Sequence, residues 1–129
     1  KACGLLMYSM LQIKREDKQR QLDQWAANYR AFDAPIMLLF FIDKIMEKGS
    51  YIDYGMFLQS IMLSAVAHGL ATCPQAALAE YPEIVKKELG YEDQVLICGM
   101  ALGYEDTTKD VNNYRTGRED LDKLVRYFS

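Results

Sequence analysis

The sequence has very little histidine and cysteine. One histidine (His68) and three cysteines (Cys3, Cys73 and Cys98) stand among 129 residues, with no CxxC pair. A structural zinc site needs four clustered Cys or His ligands, and a disulfide framework needs paired cysteines, so neither is supported. We therefore expect all three cysteines to be small buried hydrophobic residues in a reducing compartment.

The sequence also lacks an excess of positive charge and a long hydrophobic run. Lys and Arg number 15 against 18 Asp and Glu, a net charge of −3, which argues against nucleic acid as a partner. The longest apolar run, residues 34–42, is far shorter than the roughly 20 residues that a membrane helix needs. No targeting segment is visible. We expect a cytoplasmic protein without a membrane partner.

Motifs for side-chain catalysis and for common nucleotide sites are missing. The sequence contains no GxGxxG, no P-loop and no GxSxG elbow, so a Rossmann site, a phosphate cradle of the P-loop type and a serine nucleophile are not indicated. His68 is better explained as the last residue of a helix, where the dipole favours it, than as a catalytic base. The sequence therefore offers only weak candidates for catalysis by side chains.

Apolar periodicity predicts helices at the start and in the middle of the chain. Leu22, Trp25, Ala26 and Tyr29 share one helical face, and Pro35 ends that helix. A short helix is predicted over Pro82–Leu89, because Pro suits a first turn and Gly90 suits a stop. The tail from Asp110 to Ser129 is predicted to finish in an amphipathic helix. That helix would carry Leu121, Leu124, Val125 and Phe128.

Two segments are predicted to be buried strands. Ile36–Ile42 and Gln94–Leu102 are apolar without alternation, as expected for strands covered on both faces. Two strands alone form a marginal sheet, so we expect that a further part of the polypeptide or a partner subunit completes the structure.

The most apolar helix of the chain is predicted over Tyr51–His68. Ser50 is a suitable N-cap and Gly69 a suitable C′ residue. Because nearly every face is apolar, the helix should be buried. The helix has more apolar surface than a single domain formed by residues 1–129 can obviously cover, which again favours a partner subunit.

Two segments are candidates for ligand binding. Arg115 and Arg118 lie three residues apart in a turn and could hold a phosphate; alternatively, they pair with Asp110 or Glu119 on the surface. Residues 72–77 place small side chains and backbone amides before a helix, a shape that suits a flat ligand.

Five blocks of residues, in order and with similar gaps, resemble the C-terminal part of the FMN-dependent nitroreductase family. These blocks are Asn28 with Phe32-Asp33-Ala34-Pro35; residues 49–59 (GSYIDYGMFLQ); residues 68–75 (HGLATCPQ); residues 98–104 (CGMALGY); and residues 113–118 (NYRTGR). Residues 6–8 and 11–17 look like the preceding helix and loop of the family, so nearly the whole chain is covered.

The resemblance implies an α+β fold with a mixed sheet flanked by helices and an intertwined homodimer, in which the long central helix is buried at the interface. It implies an enzyme in which FMN takes hydride from NADH or NADPH and passes it to a small-molecule acceptor such as a nitroaromatic or a quinone. The flavin supplies the redox chemistry and the protein supplies position and field. No catalytic side chain and no metal are then needed.

The resemblance also implies the cofactor-binding residues. Pro74, Gln75, Ala76 and Ala77 would line one edge of the flavin, with Ala76 standing where some members have Glu. Arg115 and Arg118 would hold the FMN phosphate, with Arg118 the better match.

One departure from the family leaves alternatives open. The basic stretch with which nitroreductases open, of the type Arg-Arg-Ser-x-Arg, does not precede Lys1. The chain therefore looks like an N-terminally incomplete nitroreductase that binds FMN weakly by itself. The alternatives are a non-catalytic dimerisation or interaction module of the same fold and a sister flavin activity, such as reductive dehalogenation or ene reduction.

Overall fold

A computed structural model describes residues 2–128; Lys1 and Ser129, the ends of the predicted domain and tail, lie outside the described residues. The described chain contains six α-helices, three strands and two 3₁₀ segments. In chain order these are α1 (Ala2–Met10), α2 (Lys18–Ala26), the first 3₁₀ segment (Ala27–Asp33), β1 (Ile36–Asp43), α3 (Lys48–Ala67), β2 (Ala71–Gln75), the second 3₁₀ segment (Ala76–Ala79), α4 (Pro82–Leu89), β3 (Gln94–Gly103), α5 (Asp110–Asn113) and α6 (Leu121–Leu124).

These elements form two compact units. One unit is drawn from both ends of the chain, Lys1–Asp17 and Asp106–Ser129, of which residues 2–17 and 106–128 are described; it contains α1, α5 and α6. The other unit, Lys18–Glu105, contains the sheet and the remaining helices. The single domain over residues 1–129 stays a prediction.

The sheet has the strand order β1-β3-β2, and both pairings are antiparallel. Gly99 in the central strand β3 is the register partner of Leu39 on one side and of Gln75 on the other. Helices around an antiparallel sheet confirm the α+β class. The mixed sheet is not found among the described strands, because parallel pairing would require a further strand beside one of the two outer strands, β1 and β2.

The buried core lies around β3. Met100 is completely buried, and Leu96, Ala101 and Phe40 are buried beside it. Both predicted strands are confirmed, each extended by one residue, to Asp43 and Gly103. The prediction that β1 is covered on both faces is wrong at its start, where Ile36 and Met37 are exposed. Because successive side chains of a strand point to opposite faces, neither face is fully covered at this end.

The third strand, β2, was not predicted from the sequence. Its five residues, ATCPQ, contain a proline and no alternating pattern, so local preference does not indicate a strand. β2 exists because it pairs with β3 across residues that are distant in sequence. Pro74 is tolerated there because β2 is an edge strand, where a missing N–H need not break a ladder.

Helix α3 ends as predicted but begins earlier. Gly69 has φ 70°, Leu70 N–H donates to Ala65 O at 2.9 Å, and Gly69 N–H donates to Val66 O at 3.0 Å. These bonds form a Schellman motif. At the other end the N-cap is Glu47, so the predicted Ser50 cap is wrong. Ser50 lies inside the first turn, where its hydroxyl contacts Met46 Sδ at 3.4 Å.

Helix α3 is not buried within the described chain, as expected of a helix with more apolar surface than this chain can cover; its burial at a dimer interface stays a prediction. Within its described length only Ala65 is buried. Phe57 packs against Phe40 with ring centroids 6.4 Å apart, and the Tyr54 hydroxyl donates to Phe41 O at 2.9 Å. These contacts attach one face of the helix to β1. Large apolar side chains on the opposite side of the helix are exposed in the described chain.

The uncovered face of α3 is an apolar stripe. Ile52, Met56, Leu63 and Val66 are 66, 59, 61 and 69% exposed. At about 100° per residue, these four positions fall within about 80° of one another around the helix. We call them the α3 stripe; an exposed apolar stripe of this length is typical of an interaction surface.

The helix predicted around Leu22 and Tyr29 does not continue to Pro35. Helix α2 ends at Ala26 and is followed by the first 3₁₀ segment, in which Ala31, Phe32 and Asp33 have φ of 50°, 52° and 62°. Three left-handed residues in a row break the helical hydrogen bonding before the proline is reached.

Helix α4 is confirmed with its predicted bounds, and Gly90 has φ 73° just after it. The tail helix is shorter than predicted. Only Leu121–Leu124 are helical, Val125 is extended, and Phe128 is 87% exposed. Leu121 and Leu124 are exposed in the described chain, and short helices in water are marginal.

Candidate functional site

The predicted flavin-edge residues lie where β2 passes into the second 3₁₀ segment. Pro74 and Gln75 are the last residues of β2, and Ala76 and Ala77 open the 3₁₀ segment. We call these four residues the candidate segment. Pro74 and Ala76 are exposed, Ala77 is half-buried, and Gln75 is buried. Two alanines leave room for a flat group to approach, and the N–H groups that open a short helix have no acceptor within it.

The Gln75 side chain faces the interior. The residue is 3% exposed, and its Nε2 donates to Asn28 O at 2.9 Å and to Asn28 Oδ1 at 3.3 Å. Its Oε1 is buried with no hydrogen-bond partner among the described residues. Gln75 can therefore serve a ligand only through its backbone, while its amide group joins the candidate segment to the first 3₁₀ segment.

Residues just beyond the candidate segment contact the same 3₁₀ segment. The Tyr29 hydroxyl donates to Glu80 Oε2 at 3.3 Å, and the rings of Tyr29 and Tyr81 are 6.0 Å apart. Partial burial, followed by the nearby Glu80 carboxylate, raises the pKa of Tyr29, so the hydroxyl keeps its proton and remains a donor at neutral pH.

Leu78, in the middle of the second 3₁₀ segment, fixes its distance from the sheet. Leu78 is 5% exposed and lies against Gly99. A β-carbon at Gly99 would be 3.1 Å from Cβ and Cγ of Leu78 and would overlap its Cδ1. Glycine at this position lets the candidate segment approach β3 closely.

The two predicted phosphate ligands belong to the unit formed by the chain ends. Arg115 Nη1 donates to Asn112 O at 2.9 Å and to Tyr114 O at 3.0 Å. Arg118 Nη1 donates to Thr116 O at 3.0 Å and to Thr116 Oγ1 at 2.6 Å. Both side chains are thus held against their own turn.

The alternative interpretation of these arginines was an ion pair with Asp110 or Glu119. Within the described residues neither arginine has a carboxylate within ion-pair distance, since Glu119 pairs with Lys123 Nζ at 2.9 Å instead. In each arginine only Nη1 takes part in the described hydrogen bonds. The remaining guanidinium donors are available to an anion.

The thiols do not form a redox pair, and they are less buried than predicted. Cys3 and Cys73 are exposed and Cys98 is half-buried; all three are free. Cys73 is open because β2 is an edge strand. Shielding from water by neighbouring atoms nevertheless raises the pKa of the Cys73 and Cys98 thiols, so both are neutral at physiological pH and are weak nucleophiles.

Residues 2–128 contain no group of three or more His, Cys, Asp or Glu side chains that is arranged to hold a metal ion. None of the described helices has the length and apolarity required to traverse a bilayer.

Sequence reasoning identified the candidate segment and the arginines but missed the roles of Asn28, Tyr29 and Gly99. Asn28 was singled out only as part of a family block, and Tyr29 only as part of a helix face. The contacts Asn28–Gln75 and Tyr29–Glu80 span 47 and 51 residues, and no local pattern indicates such pairs.

The chain was compared with family models and with known proteins. The model described as the nitroreductase family matches residues 5–104. The chain is 41% identical over 117 residues to 4-nitrobenzoate reductase of Pseudomonas putida. This alignment covers 90% of this chain and 52% of that protein. The chain thus spans about half the length of this relative.

Solved structures give the same result. The FMN and NADPH-dependent nitroreductase NfnB from Sphigopyxis sp. strain HMH matches with TM-score 0.95 and 40% identity over 99% of this chain and 58% of that one. The FMN-dependent nitroreductase NfnB from Mycobacterium smegmatis, solved in complex with NADPH, matches with TM-score 0.92 and 33% identity over the same shares. The chain belongs to the nitroreductase family.

Proposed function

We propose that this protein is an FMN-dependent oxidoreductase that uses NAD(P)H to reduce nitroaromatic compounds or similar small acceptors. The observation that carries the proposal is the family match over residues 5–104 together with NfnB structures described as FMN- and NADPH-dependent. The name 4-nitrobenzoate reductase, given to a relative 41% identical, supports a nitroaromatic acceptor. Use of NADPH, together with three free cysteines, supports a cytoplasmic location.

The residues present fit a flavin mononucleotide. The candidate segment offers small side chains and backbone amides to a flat ring edge, and Arg115 and Arg118 retain guanidinium donors for a phosphate. Shielding from water by neighbouring atoms raises the pKa of the Cys73 thiol beside Pro74 and keeps it protonated, so it does not compete as a nucleophile.

The work of this chain is then to bind and orient. FMN, when bound, supplies the two-electron chemistry that the side chains lack. The candidate segment would hold the ring edge through its backbone, and the arginines would hold the phosphate through charge-assisted hydrogen bonds. The exposed Ala76 leaves the approach to the ring open for a planar substrate, since it carries no bulky side chain.

We also propose that the protein acts as a homodimer through the α3 stripe. Leaving four apolar side chains of one helical face in water has a free-energy cost of about 25 cal/mol per Å² of apolar surface. A second copy of the same stripe is apolar in the same pattern, as an isologous interface requires.

A flavin titration with a turnover assay tests the proposal. Purified protein is titrated with FMN while the flavin fluorescence is followed, and NADPH oxidation is then measured with and without 4-nitrobenzoate. We expect saturable quenching of the flavin and an acceptor-dependent NADPH oxidation that requires FMN.

Two other outcomes have definite meanings. A protein that forms dimers but neither quenches FMN nor oxidises NADPH would be the non-catalytic interaction module, and the proposal would be wrong. FMN binding with oxidation of NADPH by an activated alkene or a halogenated aromatic, and none by nitro compounds, would indicate a sister flavin activity instead.

A further inference from the structure

We propose that the consecutive residues Asn28 and Tyr29 are positioning residues for the candidate segment. They hold the two ends of residues 75–80, a stretch that includes Gln75, Ala76 and Ala77 of the candidate segment, and Gly99 sets the height of this stretch over the sheet. This inference rests on the proposed function, because the ligand whose binding it affects is FMN. None of these three residues needs to contact the ligand.

The first attachment is the amide group of Gln75. Both atoms that Nε2 meets, Asn28 O at 2.9 Å and Asn28 Oδ1 at 3.3 Å, are oxygens. The reversed amide would bring Oε1 against the backbone carbonyl, which is only an acceptor. The orientation of Gln75 is therefore fixed even though its Oε1 stays buried without a described partner, an arrangement that ordinarily costs about 1–3 kcal/mol. The described hydrogen bonds of the Gln75 amide group thus all go to Asn28.

The second attachment lies at the other end of the second 3₁₀ segment. Tyr29 donates its hydroxyl to Glu80 at 3.3 Å, and its ring lies 6.0 Å from that of Tyr81. Because Asn28 and Tyr29 are adjacent, one short piece of backbone fixes both ends of residues 75–80. A shift of that piece would move the whole segment as a unit.

The holding residues are themselves anchored. Asn28 Nδ2 donates to Trp25 O at 3.0 Å, and the rings of Trp25 and Tyr29 form an edge-to-face contact with centroids 5.1 Å apart. Ala31, two residues beyond Tyr29, is 1% exposed. The Asn28–Tyr29 pair is thus tied both to α2 and to the core.

The third constraint acts between the two ends. Leu78 rests on Gly99, whose missing side chain leaves the space that Leu78 fills. With both ends and the middle held, the backbone N–H groups of Ala76 and Ala77 have one preferred direction. Preorganised donors bind more tightly than mobile ones, because less ordering is required on binding.

The experiment compares four variants with the unchanged protein. Tyr29→Phe and Glu80→Ala each remove the hydrogen bond at the second attachment. Glu80→Gln keeps an acceptor for the Tyr29 hydroxyl. Tyr54→Phe is the matched control, since it deletes a tyrosine hydroxyl bond of similar length, to Phe41 O, away from the segment.

Three quantities are measured for each protein: amide hydrogen exchange of peptides covering residues 74–81 without FMN, the dissociation constant for FMN, and the midpoint potential of the bound flavin. We expect Tyr29→Phe and Glu80→Ala to speed exchange in these peptides, to weaken FMN binding about two- to tenfold and to shift the midpoint potential. Glu80→Gln and Tyr54→Phe should leave the exchange rates and the FMN dissociation constant within about twofold of those of the unchanged protein. The midpoint potential should not shift in either variant.

Every other result decides against the inference or separates it from the proposed function. Unchanged exchange in Tyr29→Phe and Glu80→Ala would overturn it, as would faster exchange with unchanged FMN affinity and potential. If Tyr54→Phe had effects equal to those of Tyr29→Phe, both would reflect a general loss of stability, and the inference would be wrong. If the unchanged protein binds no FMN, the proposed function fails, and the exchange data alone still decide whether Tyr29 holds the segment through Glu80.

Discussion

Leu78 lies directly over Gly99 of the central strand, so closely that a β-carbon on the glycine would overlap Leu78 Cδ1. Gly99→Ala should therefore destabilise the fold by about 1–3 kcal/mol through overpacking, and Leu78→Ala by about 2–5 kcal/mol through the cavity that it leaves. In the double variant the new methyl group occupies part of that cavity. Urea unfolding of all four proteins should give a double-variant loss smaller than the sum of the single losses. Simple additivity would show that the two residues do not compete for the same space.

The turn after α3 depends on the left-handed conformation of Gly69. Its φ of 70° is unfavourable for a residue with a side chain, although a β-carbon there would meet no atom within 4 Å. Gly69→Ala should lower the free energy of unfolding by about 1–2 kcal/mol. Gly55→Ala is the matched control, because a β-carbon there is equally free of contacts but the residue is helical; it should stabilise by about 0.5–1 kcal/mol. Equal effects of both substitutions would rule out the backbone explanation.

The α3 stripe predicts a change of assembly state when it receives a charge. Ile52→Glu should shift the protein from dimer to monomer in sedimentation velocity, because a carboxylate would have to lose its water in an apolar interface. Ile84→Glu in α4 is the control, since Ile84 is an isoleucine of similar exposure, 64% against 66%. Dissociation by both variants, or by neither, would speak against the stripe as the contact surface.

The Lys44–Asp93 contact predicts a specific pH dependence of stability. Lys44 Nζ donates to Asp93 Oδ1 at 2.7 Å, which lowers the pKa of Asp93 and raises the pKa of Lys44. The carboxylate contribution is present above the unfolded pKa of Asp93 and is lost as the pH falls through its lowered folded value. The lysine contribution is present below the unfolded pKa of Lys44 and is lost as the pH rises through its raised folded value.

Asp93→Asn should therefore destabilise the protein most near neutral pH and least at acid pH. The effect should be small and should shrink in high salt, because both side chains are largely exposed. Melting curves at several pH values test this. Glu92→Gln removes the adjacent carboxylate and keeps the Lys44 contact, so its curve should follow that of the unchanged protein. A loss at acid pH as large as the loss at neutral pH would contradict the assignment.

Arg118 is predicted to recognise the phosphate of the cofactor. Its guanidinium keeps donors that the described bonds do not use. Arg118→Ala should weaken FMN binding about 10- to 100-fold, as expected for a hydrogen bond to a charged group. Binding of riboflavin, which has no phosphate, should change little. Arg126→Ala serves as the control for lost charge in the tail, and a similar loss for FMN in that variant would indicate only a general electrostatic effect.

Local sequence signals predicted those elements whose cause is local. The apolar runs in β1 and β3, the Pro82 start and Gly90 stop of α4, and the Gly69 end of α3 all lie where the sequence indicates them. Strand β2 had no such signal, because its backbone is extended only by pairing with β3. The cover of α3 is not local either: an apolar helix indicates that it needs cover but not which molecule supplies it.

The candidate site divides in the same way. The arginines and the candidate segment were found through residues that stand close together in the sequence. The tethers to Asn28 and Tyr29 were not found, because contacts across 47 and 51 residues arise only once the sheet has aligned both chain segments. The apolar periodicity placed Tyr29 on the face of a helix, but that helix ends at Ala26. The pattern therefore did not indicate the contact of Tyr29 with Glu80.

The left-handed run Ala31–Asp33 bears on how the molecule reaches its native state. Each of these residues costs about 1–2 kcal/mol in that conformation, so a free chain would rarely visit all three at once. The run is supported by the burial of Ala31 and by the tethers of the preceding Asn28 and Tyr29 to residues far along the chain. We therefore expect this run to form late in folding, so substitutions there should act on the rate of unfolding far more than on the rate of folding.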